Sequence, residues 1–472
     1  MTAATTDQLL ARLVAVAGTE HVKILENDAR YGALLSPALT PSERPRAVVK
    51  PANTEELQAV LKTVRELDHA LWVTPNATGN GARTGRRDRP AVLADLSRMN
   101  RVLELDSASA YALVEPGVSF TQLAQHIADA KLPFWIDCDK NGAHSVAGSI
   151  GQRAFGYTPY SDHLLMQCGF EVLLADGTLM RTGMGALPDN NTWQLFKYNY
   201  GPYLDGLFSR ADFGIVIKTG LWIMPAPPAW HPFLVSLPND MALGAAIDLL
   251  RPFKIDMSLP GSVTISSQAS DLALVGHHHA SEVSALQAVS GTWNLCGAVV
   301  GLPANVEFVW SLLGPALSAL PGATVFTARD GRTDALWQTR TQLTRGVPAY
   351  HADATANDSL WFVASAPIEG GEAAAMHEIV TQSLHAIDHQ CEFALGWRTL
   401  FMRIEVAYDA ATYPSRRESA LTAIAALTKA GYAITHDSAD LTSAVATTHT
   451  GPGLQHLYAG LREAFDPVGT FG

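Results

Sequence analysis

Two stretches rich in glycine and small polar residues carry the types and spacing best suited to binding chemistry. The first is PNATGNGARTG, residues 75–85, which follows a predicted strand. Its three glycines leave backbone N–H groups open to close approach by an anionic group such as a pyrophosphate. The pattern is not GxGxxG, and no Lys-Ser/Thr pair completes a P-loop. A plain surface turn therefore stays open as the alternative.

The second stretch combines GAHSVAGSIG, residues 142–151, with GYTPYSDH, residues 156–163. Two segments rich in glycine and serine within one domain can line an extended dinucleotide without a Rossmann fold. The composition permits this interpretation without establishing it.

A run of three histidines, His277, His278 and His279, raises the question of a metal site. Consecutive residues of a strand or helix cannot all face one ion, and no carboxylate pattern accompanies the run. We therefore predict no metal.

The bulk composition describes an ordinary globular protein. A chain of 472 residues exceeds the size at which one core stops growing, so two or three domains are expected. With 47% hydrophobic and 17% charged residues, it can bury a sizeable core. The formal net charge of −12 argues against a nucleic-acid partner.

The cysteines and the N-terminal segment indicate the cellular compartment of the protein. Cys138, Cys168, Cys296 and Cys391 show no CxxC spacing, so we interpret them as reduced core thiols. The N-terminus reads as an amphipathic helix rather than a signal peptide. No segment approaches the roughly 20 apolar residues of a bilayer span. We expect a cytoplasmic protein with no membrane partner.

The elements that must position the glycine-rich loops can be read from periodicity. Residues 46–50 predict a strand, a helix follows with Asn53 and Glu56 as a capping pair, and residues 71–74 predict the next strand. A hairpin over residues 170–182 turns at Asp176-Gly177. A proline cluster at 225–228 marks the predicted domain boundary, beyond which strands and helices alternate.

Longer stretches resemble a known flavoprotein family. FGYTPYSDHLLMQCGFEVLLADGTLMRTGMGALPD (155–189) and YGPYLDGLFSRADFGIVIKTGLWIMP (200–225) are similar to the vanillyl-alcohol oxidase and 4-cresol dehydrogenase flavoproteins, which have a PCMH-type FAD-binding domain. Weaker agreement continues through RGVPAY (345–350), FALGWR (393–398), KAGYAITH (429–436) and DPVGTFG (466–472). The resemblance covers the chain from about residue 44 to its end.

The resemblance implies an α+β fold with FAD as cofactor. An N-terminal helical segment (1–43) would precede the PCMH-type FAD-binding domain (44–227). An α+β cap domain (228–430) would form much of the substrate cavity, and residues 431–472 would return to the FAD-binding domain. The implied FAD contacts are Pro75, Asn76, Ala77, Thr78, Gly79, Asn80, Gly81, Ala82, Ser145, Gly148, Ser149, Gly151, Gly156, Thr158, Asp162, His163, Gly214 and Ile215. For His163 we favour backbone support.

Family members oxidise para-substituted phenols by hydride transfer from a benzylic carbon to the flavin, giving a quinone methide that water can trap. The resemblance thus implies an oxidoreductase with a small-molecule substrate and either O₂ or another electron acceptor, in a homo-oligomer. A D-2-hydroxy acid substrate is one alternative. A flavin-binding protein without redox catalysis is another.

This sequence departs from the family where the chemistry occurs. Ser359 aligns with the family's histidine that bonds covalently to FAD, which predicts noncovalently held FAD. The Tyr-Arg pair that helps to bind the phenolate falls on Thr435-His436, and a second phenolate-binding tyrosine is missing from the shorter glycine loop. The aspartate near flavin N5 aligns with Lys140, or with Asp139 after a one-residue shift.

The catalytic candidates are therefore Asp139, Lys140, His436 and Arg398. Asp139, Lys140 or His436 could accept a proton. His436 could carry charge near neutral pH and hold an anionic or carbonyl group, although a structural histidine is equally expected. Arg398 suits a carboxylate or phenolate, with an ion pair inside the cap as its alternative.

Overall fold

The computed structural model describes residues 3–25, 31, 35, 37, 39–40, 42–76, 88–210, 212–277, 279–352, 359–385, 387–449 and 451–471. The predicted FAD contacts Ala77, Thr78, Gly79, Asn80, Gly81 and Ala82 lie outside these residues, as does His278.

Helices and strands are mixed along the whole described chain. The helices are α1 Ala3–Ala17, α2 Thr54–Glu66, α3 Phe120–Asp129, α4 Val146–Gly151, α5 His163–Met166, α6 Asp240–Ile255, α7 Gln268–Gly276, α8 Val283–Val289, α9 Pro303–Ser318, α10 Ala335–Leu343, α11 Gly370–Leu384, α12 Tyr413–Lys429, α13 Thr442–Ala446 and α14 Pro452–Phe465. None in the described part of the chain is long and apolar enough to cross a membrane.

The strands fall into four sheets. They are β1 Val22–Ile24, β2 Ala47–Val49, β3 Ala70–Thr74, β4 Ala91–Asp95, β5 Val102–Asp106, β6 Tyr111–Val114, β7 Phe134–Trp135, β8 Gln167–Leu173, β9 Leu179–Arg181, β10 Ile215–Trp222, β11 Met224–Pro225, β12 Ala229–Leu237, β13 Val263–Ser267, β14 Trp293–Gly301, β15 Thr324–Thr327, β16 Ser359–Pro367, β17 Gln390–Leu395, β18 Thr399–Ala407 and β19 Ala433–Asp437. This arrangement confirms the predicted α+β class.

The first half of the chain forms a four-stranded sheet in the order β1-β2-β4-β3. Strands β2, β4 and β3 run parallel, with α2 as the crossover between β2 and β3. The Asn53 side chain accepts a hydrogen bond from the Glu56 backbone at 2.8 Å, and the Glu56 carboxylate accepts one from the Ala52 N–H. The predicted capping pair is therefore present at the start of α2. In the sequence, the glycine loop follows directly after β3.

A five-stranded antiparallel sheet follows, in the order β5-β6-β10-β8-β9. Strands β8 and β9 form the predicted hairpin, and Gly177 adopts φ +91° at its turn. A two-stranded sheet pairs β7 with β11. The long segment between β7 and β8 carries the second glycine-rich stretch.

The second half is built on an eight-stranded antiparallel sheet in the order β15-β12-β14-β13-β17-β18-β16-β19. In β18, Leu400, Met402, Ile404 and Val406 are buried and alternate with more accessible residues. The buried face packs against α6, α9, α11 and α12 in one core. Burying each large side chain in this core contributes roughly 1.5–3 kcal/mol.

The end of the chain is divided between the two halves. Strand β19 belongs to the eight-stranded sheet, and Leu441 and Val445 lie in its core. By contrast, Leu461 and Phe465 of α14 pack against the first half, and the Leu71 N–H donates to the Thr470 carbonyl. The chain therefore crosses back after α13.

Candidate active site

The strands of the eight-stranded sheet turn their polar and aromatic residues to the face opposite the helices α6, α9, α11 and α12. The alternation of β16 and β18 puts Trp361, Arg403 and Glu405 on that side, because successive side chains of a strand point to opposite faces. We call it the inner face and define it by Trp361, Val363, Glu392, Phe401, Arg403, Glu405 and His436.

The inner face contacts the first half of the chain at several points. Lys140 Nζ lies 2.9 Å from Glu392 Oε2, and the Phe155 and Phe401 ring centroids are 4.7 Å apart. Beyond them, His436 Nε2 donates to the Arg153 carbonyl at 2.8 Å. These contacts bring residues 139–155 against the sheet.

Solvent still reaches side chains between these contacts. Arg403 keeps 38% of its side-chain surface exposed, Asp139 30% and Glu405 28%, although each belongs to the region where the two halves meet. They therefore border a solvent-accessible cleft between the inner face and the first half. The cleft combines charged groups with aromatic rings, as an organic ligand requires.

A buried ionic network fixes Lys140. Glu392 Oε2 accepts from Lys140 at 2.9 Å and from Arg340 Nη1 at 2.7 Å, and Arg340 Nη2 also lies 2.6 Å from Asp271. Burial alone would raise the pKa of Glu392, but the two cations beside it lower that pKa to about 2. Glu392 is therefore a carboxylate at neutral pH, and Lys140 is held as its partner.

Asp139 is an accessible carboxylate at the edge of the cleft. Its Oδ2 lies 3.1 Å from His144 Nδ1. Burial would raise its pKa, but the neighbouring His144 and Arg403 together hold that pKa well below the ordinary value. Its Oδ1 accepts a long hydrogen bond from the Asn141 N–H at 3.4 Å. Of the two aligned candidates, Asp139 is the carboxylate, and 30% of its side-chain surface is exposed.

His436 does not carry the charge that its residue type allows. Burial, followed by the nearby Arg210, lowers the pKa of its imidazole to about 4. Its Nδ1 lies 2.9 Å from Thr435 Oγ1, and its Nε2 is engaged by Arg153. His436 is thus a neutral imidazole at pH 7, held by its own chain.

Arg398 lies apart from the other candidates. It is exposed in the turn between β17 and β18, and no ion pair joins it to any part of the chain that the structure describes. The structure brings Asp139, Lys140 and His436 to the inner face but leaves Arg398 at the end of the hairpin.

The second glycine-rich stretch is held by a buried chain of hydrogen bonds. His163 Nε2 lies 2.7 Å from Asp137 Oδ2, and its Nδ1 lies 2.8 Å from Ser149 Oγ. The other oxygen of Asp137 accepts from the backbone N–H groups of Tyr157 and Thr158. His163 and Asp137 therefore shape the 156–158 turn, in line with the backbone role that we favour for His163.

Gly156 is required by this turn. A Cβ added there would lie 1.6 Å from Asp137 Oδ2, so any side chain would displace the carboxylate. Gly214 is similarly confined, with Val172 Cγ1 2.5 Å from an added Cβ, and the next residue, Ile215, begins β10 as a buried core residue. Both glycines are therefore needed for close packing, because protein atoms already occupy the position that a Cβ would take.

Most side chains among the predicted FAD contacts form hydrogen bonds with nearby backbone groups of the protein. Ser145 accepts from the Gly148 N–H at 2.9 Å, and Asp162 accepts from the Leu165 N–H at 2.9 Å, so each caps a short helix. Thr158 Oγ1 accepts from the Tyr160 N–H. The Asn76 amide donates to the Ala143 carbonyl at 3.0 Å, which ties the described start of the glycine loop, Pro75-Asn76, to the second stretch.

These features fit FAD. The two glycine-rich stretches meet through Asn76, and a Cβ added at Gly151 would have no atom of the described residues outside its own helix within 4 Å. Open space next to a small-residue backbone is what an extended dinucleotide needs. Lys140 and Arg403 add cations near the cleft, which suits a group that gains negative charge on reduction.

Sequence reasoning missed the inner-face residues Trp361, Glu392, Arg403 and Glu405. Arg403 Nη2 lies 3.3 Å from Glu405 Oε2, and Ser359 Oγ donates to Glu405 Oε1 at 2.7 Å. The signal was present in LFMRIEV, where charged residues occur at alternate positions of an otherwise apolar strand.

Comparison with known proteins agrees with this geometry. A family model described as an FAD binding domain matches residues 45–183. The chain is 32% identical to the 4-cresol dehydrogenase (hydroxylating) flavoprotein subunit of Pseudomonas putida, over 96% of this chain and 92% of the relative.

Two solved structures are similar over almost their full length. The structure of p-cresol methylhydroxylase with substrate bound has a TM-score of 0.88 at 28% identity, covering 99% of this chain and 96% of that one. The isoeugenol complex of 4-ethylphenol oxidase from Gulosibacter chungangensis has a TM-score of 0.89 at 26% identity, covering 100% and 97%.

These findings confirm the resemblance, the fold and FAD as the cofactor. The chain is an FAD-dependent oxidoreductase, which implies a small-molecule substrate and an electron acceptor. On its identity over nearly the whole length of both proteins, the chain belongs to the 4-cresol dehydrogenase family of flavoproteins.

Proposed function

We propose that the chain oxidises an aromatic substrate, an alkylphenol or a benzylic alcohol, in the cleft between the inner face and residues 139–155. The observation that carries the proposal is the accessible set of Asp139, Arg403 and Glu405 beside Trp361 and Phe401. The names of its relatives, which refer to 4-cresol and 4-ethylphenol, support an aromatic substrate here.

FAD would supply a hydride acceptor for the benzylic carbon of the substrate. The residues that would hold it are the backbone of 142–158, the loop that starts at Pro75-Asn76, and Gly214 with Ile215. Their side chains mostly brace this backbone, so the contacts would be made through N–H groups and through the space left by glycine.

The remaining steps belong to the chain's own residues. The Asp139 carboxylate, which is ionised at neutral pH, takes the proton of the substrate hydroxyl transiently and passes it to solvent, and His144 holds that carboxylate in place at 3.1 Å. Trp361 and Phe401 contact the substrate ring and exclude water from it. Lys140 is a positioning residue that orients Glu392.

The finer organisation is part of the proposal. We divide the chain into the segments 1–43, 44–227, 228–430 and 431–472, with the last returning to the FAD-binding half. We also propose a cytoplasmic location, which the four buried free thiols support, and a homo-oligomer.

Anaerobic titration of the purified yellow protein tests the activity. We expect the flavin absorbance to bleach with a 4-alkylphenol or a benzylic alcohol and not with D-lactate. Asp139→Asn should slow bleaching by about 10²–10⁴-fold because the proton acceptor is lost. The matched control is Asp129→Asn, at the exposed end of α3, which should bleach at the normal rate.

The outcomes of this titration separate the alternatives. Bleaching by D-lactate but by no aromatic compound would favour a 2-hydroxy acid enzyme. Bound flavin that no substrate reduces would favour a binding protein without redox catalysis.

The attachment of FAD is tested by acid precipitation. Ser359 offers a hydroxyl that is already donated to Glu405 at 2.7 Å, which supports noncovalent FAD. We therefore expect a yellow supernatant and a colourless pellet. A yellow pellet would mean a covalent bond and would overturn this part of the proposal.

A further inference from the structure

Arg403 is a guanidinium with unused hydrogen-bonding capacity in the cleft. Arginine has five N–H donors in a planar fork. Within the described residues, Arg403 makes one hydrogen bond, from Nη2 to Glu405 Oε2 at 3.3 Å, which is long for a charge-assisted contact. With 38% of its side-chain surface exposed, the other donors face a space that a ligand can enter.

The guanidinium is also held flat. Its Cζ lies 4.4 Å from the centre of the Trp361 ring. A stacked arginine keeps its edges free while its plane is fixed, so less side-chain entropy is lost when an anion binds to the edge.

Arg340, the other arginine of this region, is already paired with two carboxylates. Its Nη1 contacts Glu392, and its Nε and Nη2 contact Asp271 at 2.7 and 2.6 Å. Its guanidinium is also buried, so a ligand cannot reach it. Arg403 is the cation of the inner face that combines exposure with a single, long hydrogen bond.

Strand register places Arg403 in the same row as His436. Arg403 pairs with Val363 across β18 and β16, and Val363 pairs with His436 across β16 and β19. Two strand spacings separate the two residues, about 10 Å, and both lie on the inner face. Since His436 is neutral and engaged by Arg153, the positive charge of this row sits on Arg403.

The acidic neighbours leave this charge available. Glu405 divides its two oxygens between Arg403 and Ser359, Asp139 is paired with His144, and Glu392 is taken up by Lys140 and Arg340. An incoming anion would therefore meet Arg403 without displacing a short ion pair.

We propose that Arg403 binds a carboxylate of the substrate through the planar fork of its guanidinium, so that the enzyme selects aromatic substrates bearing a carboxylate. This inference rests on the proposed oxidation of an aromatic compound and names its substrate class. For a 4-carboxybenzyl alcohol, FAD would supply the acceptor for the benzylic hydride, Asp139 would take the hydroxyl proton, and the product would be the aldehyde with its carboxylate unchanged.

Ligand binding to the holoenzyme tests the inference without turnover. Isothermal titration would compare 4-methoxybenzoate, 4-nitrophenolate and the neutral 4-methoxybenzamide. Arg403→Gln should raise the Kd of 4-methoxybenzoate by about 10–100-fold, because a charge-assisted contact is lost, and change that of the amide less than about twofold. Arg403→Lys should fall between, because it keeps the charge but loses the fork.

Arg181→Gln is the matched control, since Arg181 also stacks on a tryptophan, Trp193, and pairs with a glutamate, Glu171, but lies on β9 away from the cleft. It should leave all three affinities unchanged. A Kd that rises for 4-nitrophenolate but not for 4-methoxybenzoate in Arg403→Gln would contradict the carboxylate assignment.

Equal weakening of anions and amide in Arg403→Gln, or no change for either anion, would overturn the inference. Should Arg403→Gln not fold, as judged by melting temperature and FAD content, Arg403→Lys carries the same comparison. Flavin that bleaches with neutral benzylic alcohols while no anion binds would leave the proposed function standing. Anion binding through Arg403 without any bleaching would support the inference about Arg403 and contradict the proposed oxidation.

Discussion

At the scale of single residues, environment decides what a candidate group can do. His436 could be a cation by residue type, yet burial and the neighbouring arginines lower the pKa of its imidazole to about 4. Arg403 stays charged at neutral pH in any environment, so it supplies the positive charge in the same row of the sheet. In the proposed site, the cation that binds the substrate is therefore Arg403, which differs from His436 in residue type and in position.

The neutrality of His436 predicts a pH dependence of stability. An unfolded histidine titrates near pH 6.5, whereas the folded imidazole titrates near 4. Below pH 6.5 the unfolded chain binds a proton that the folded chain does not, so stability is lost as the pH falls from 7 towards 4. We expect this residue to account for about 2 kcal/mol of the loss between pH 7 and 5.

Urea unfolding of the wild type and of His436→Gln at pH 7 and 5 measures this contribution. The variant should lose less stability than the wild type over that interval. His456→Gln, at an exposed position of α14, is the control and should follow the wild type. Identical pH dependence in wild type and His436→Gln would show that the imidazole is not buried in its neutral form.

At the scale of elements, local sequence predicted much of the first half. The capping pair at Asn53 and Glu56, the helix α2 and the hairpin at Gly177 follow from short-range rules, and the structure confirms them. The sequence also indicated that residues 142–163 could line an extended ligand. It did not indicate their supporting carboxylate, Asp137, because the hydrogen bonds from Tyr157 and His163 join positions 20 and 26 residues away.

The inner face illustrates a second limit of sequence reasoning. Similarity in FALGWR pointed to Arg398, but that residue lies in the β17–β18 turn, and Arg403 lies five residues further along the same hairpin. A period of two shows that Arg403 and Glu405 share a face with Phe401. Which face meets the first half depends on long-range packing of α6, α9, α11 and α12 on the other side, which no local pattern encodes.

At the scale of the whole molecule, the site depends on how the two halves are held together. Asn141 bonds to the backbone of Ala352, and a Cβ on Gly346 would lie 1.8 Å from the Ile136 carbonyl oxygen, so the two halves touch closely beside Lys140. On the other side, Arg210 Nη2 lies 2.6 Å from Asp437 on β19. The cleft is bounded by these two contacts.

The Arg210–Asp437 pair should therefore hold the edge of the sheet in place. Asp437 is buried, and Arg210 also bonds to Gln152 and reaches this position with φ +50°. Arg210→Gln would leave a buried carboxylate without its cation, which costs about 3 kcal/mol. We expect a lower urea midpoint, with β19 and residues 151–153 exchanging their amide hydrogens faster than the rest of the sheet.

A double-mutant cycle separates this pair from a general loss of stability. Asp437→Asn in the Arg210→Gln background should cost much less than in the wild type, because the cation is already absent and the substitution then removes an unpaired buried carboxylate. Arg251→Gln removes an exposed helical ion pair with Asp248 and should change stability by less than about 0.5 kcal/mol. Additive effects at positions 210 and 437 would show that they do not couple. The edge of the cleft would then be held by the Phe155–Phe401 contact and the His436 hydrogen bond instead.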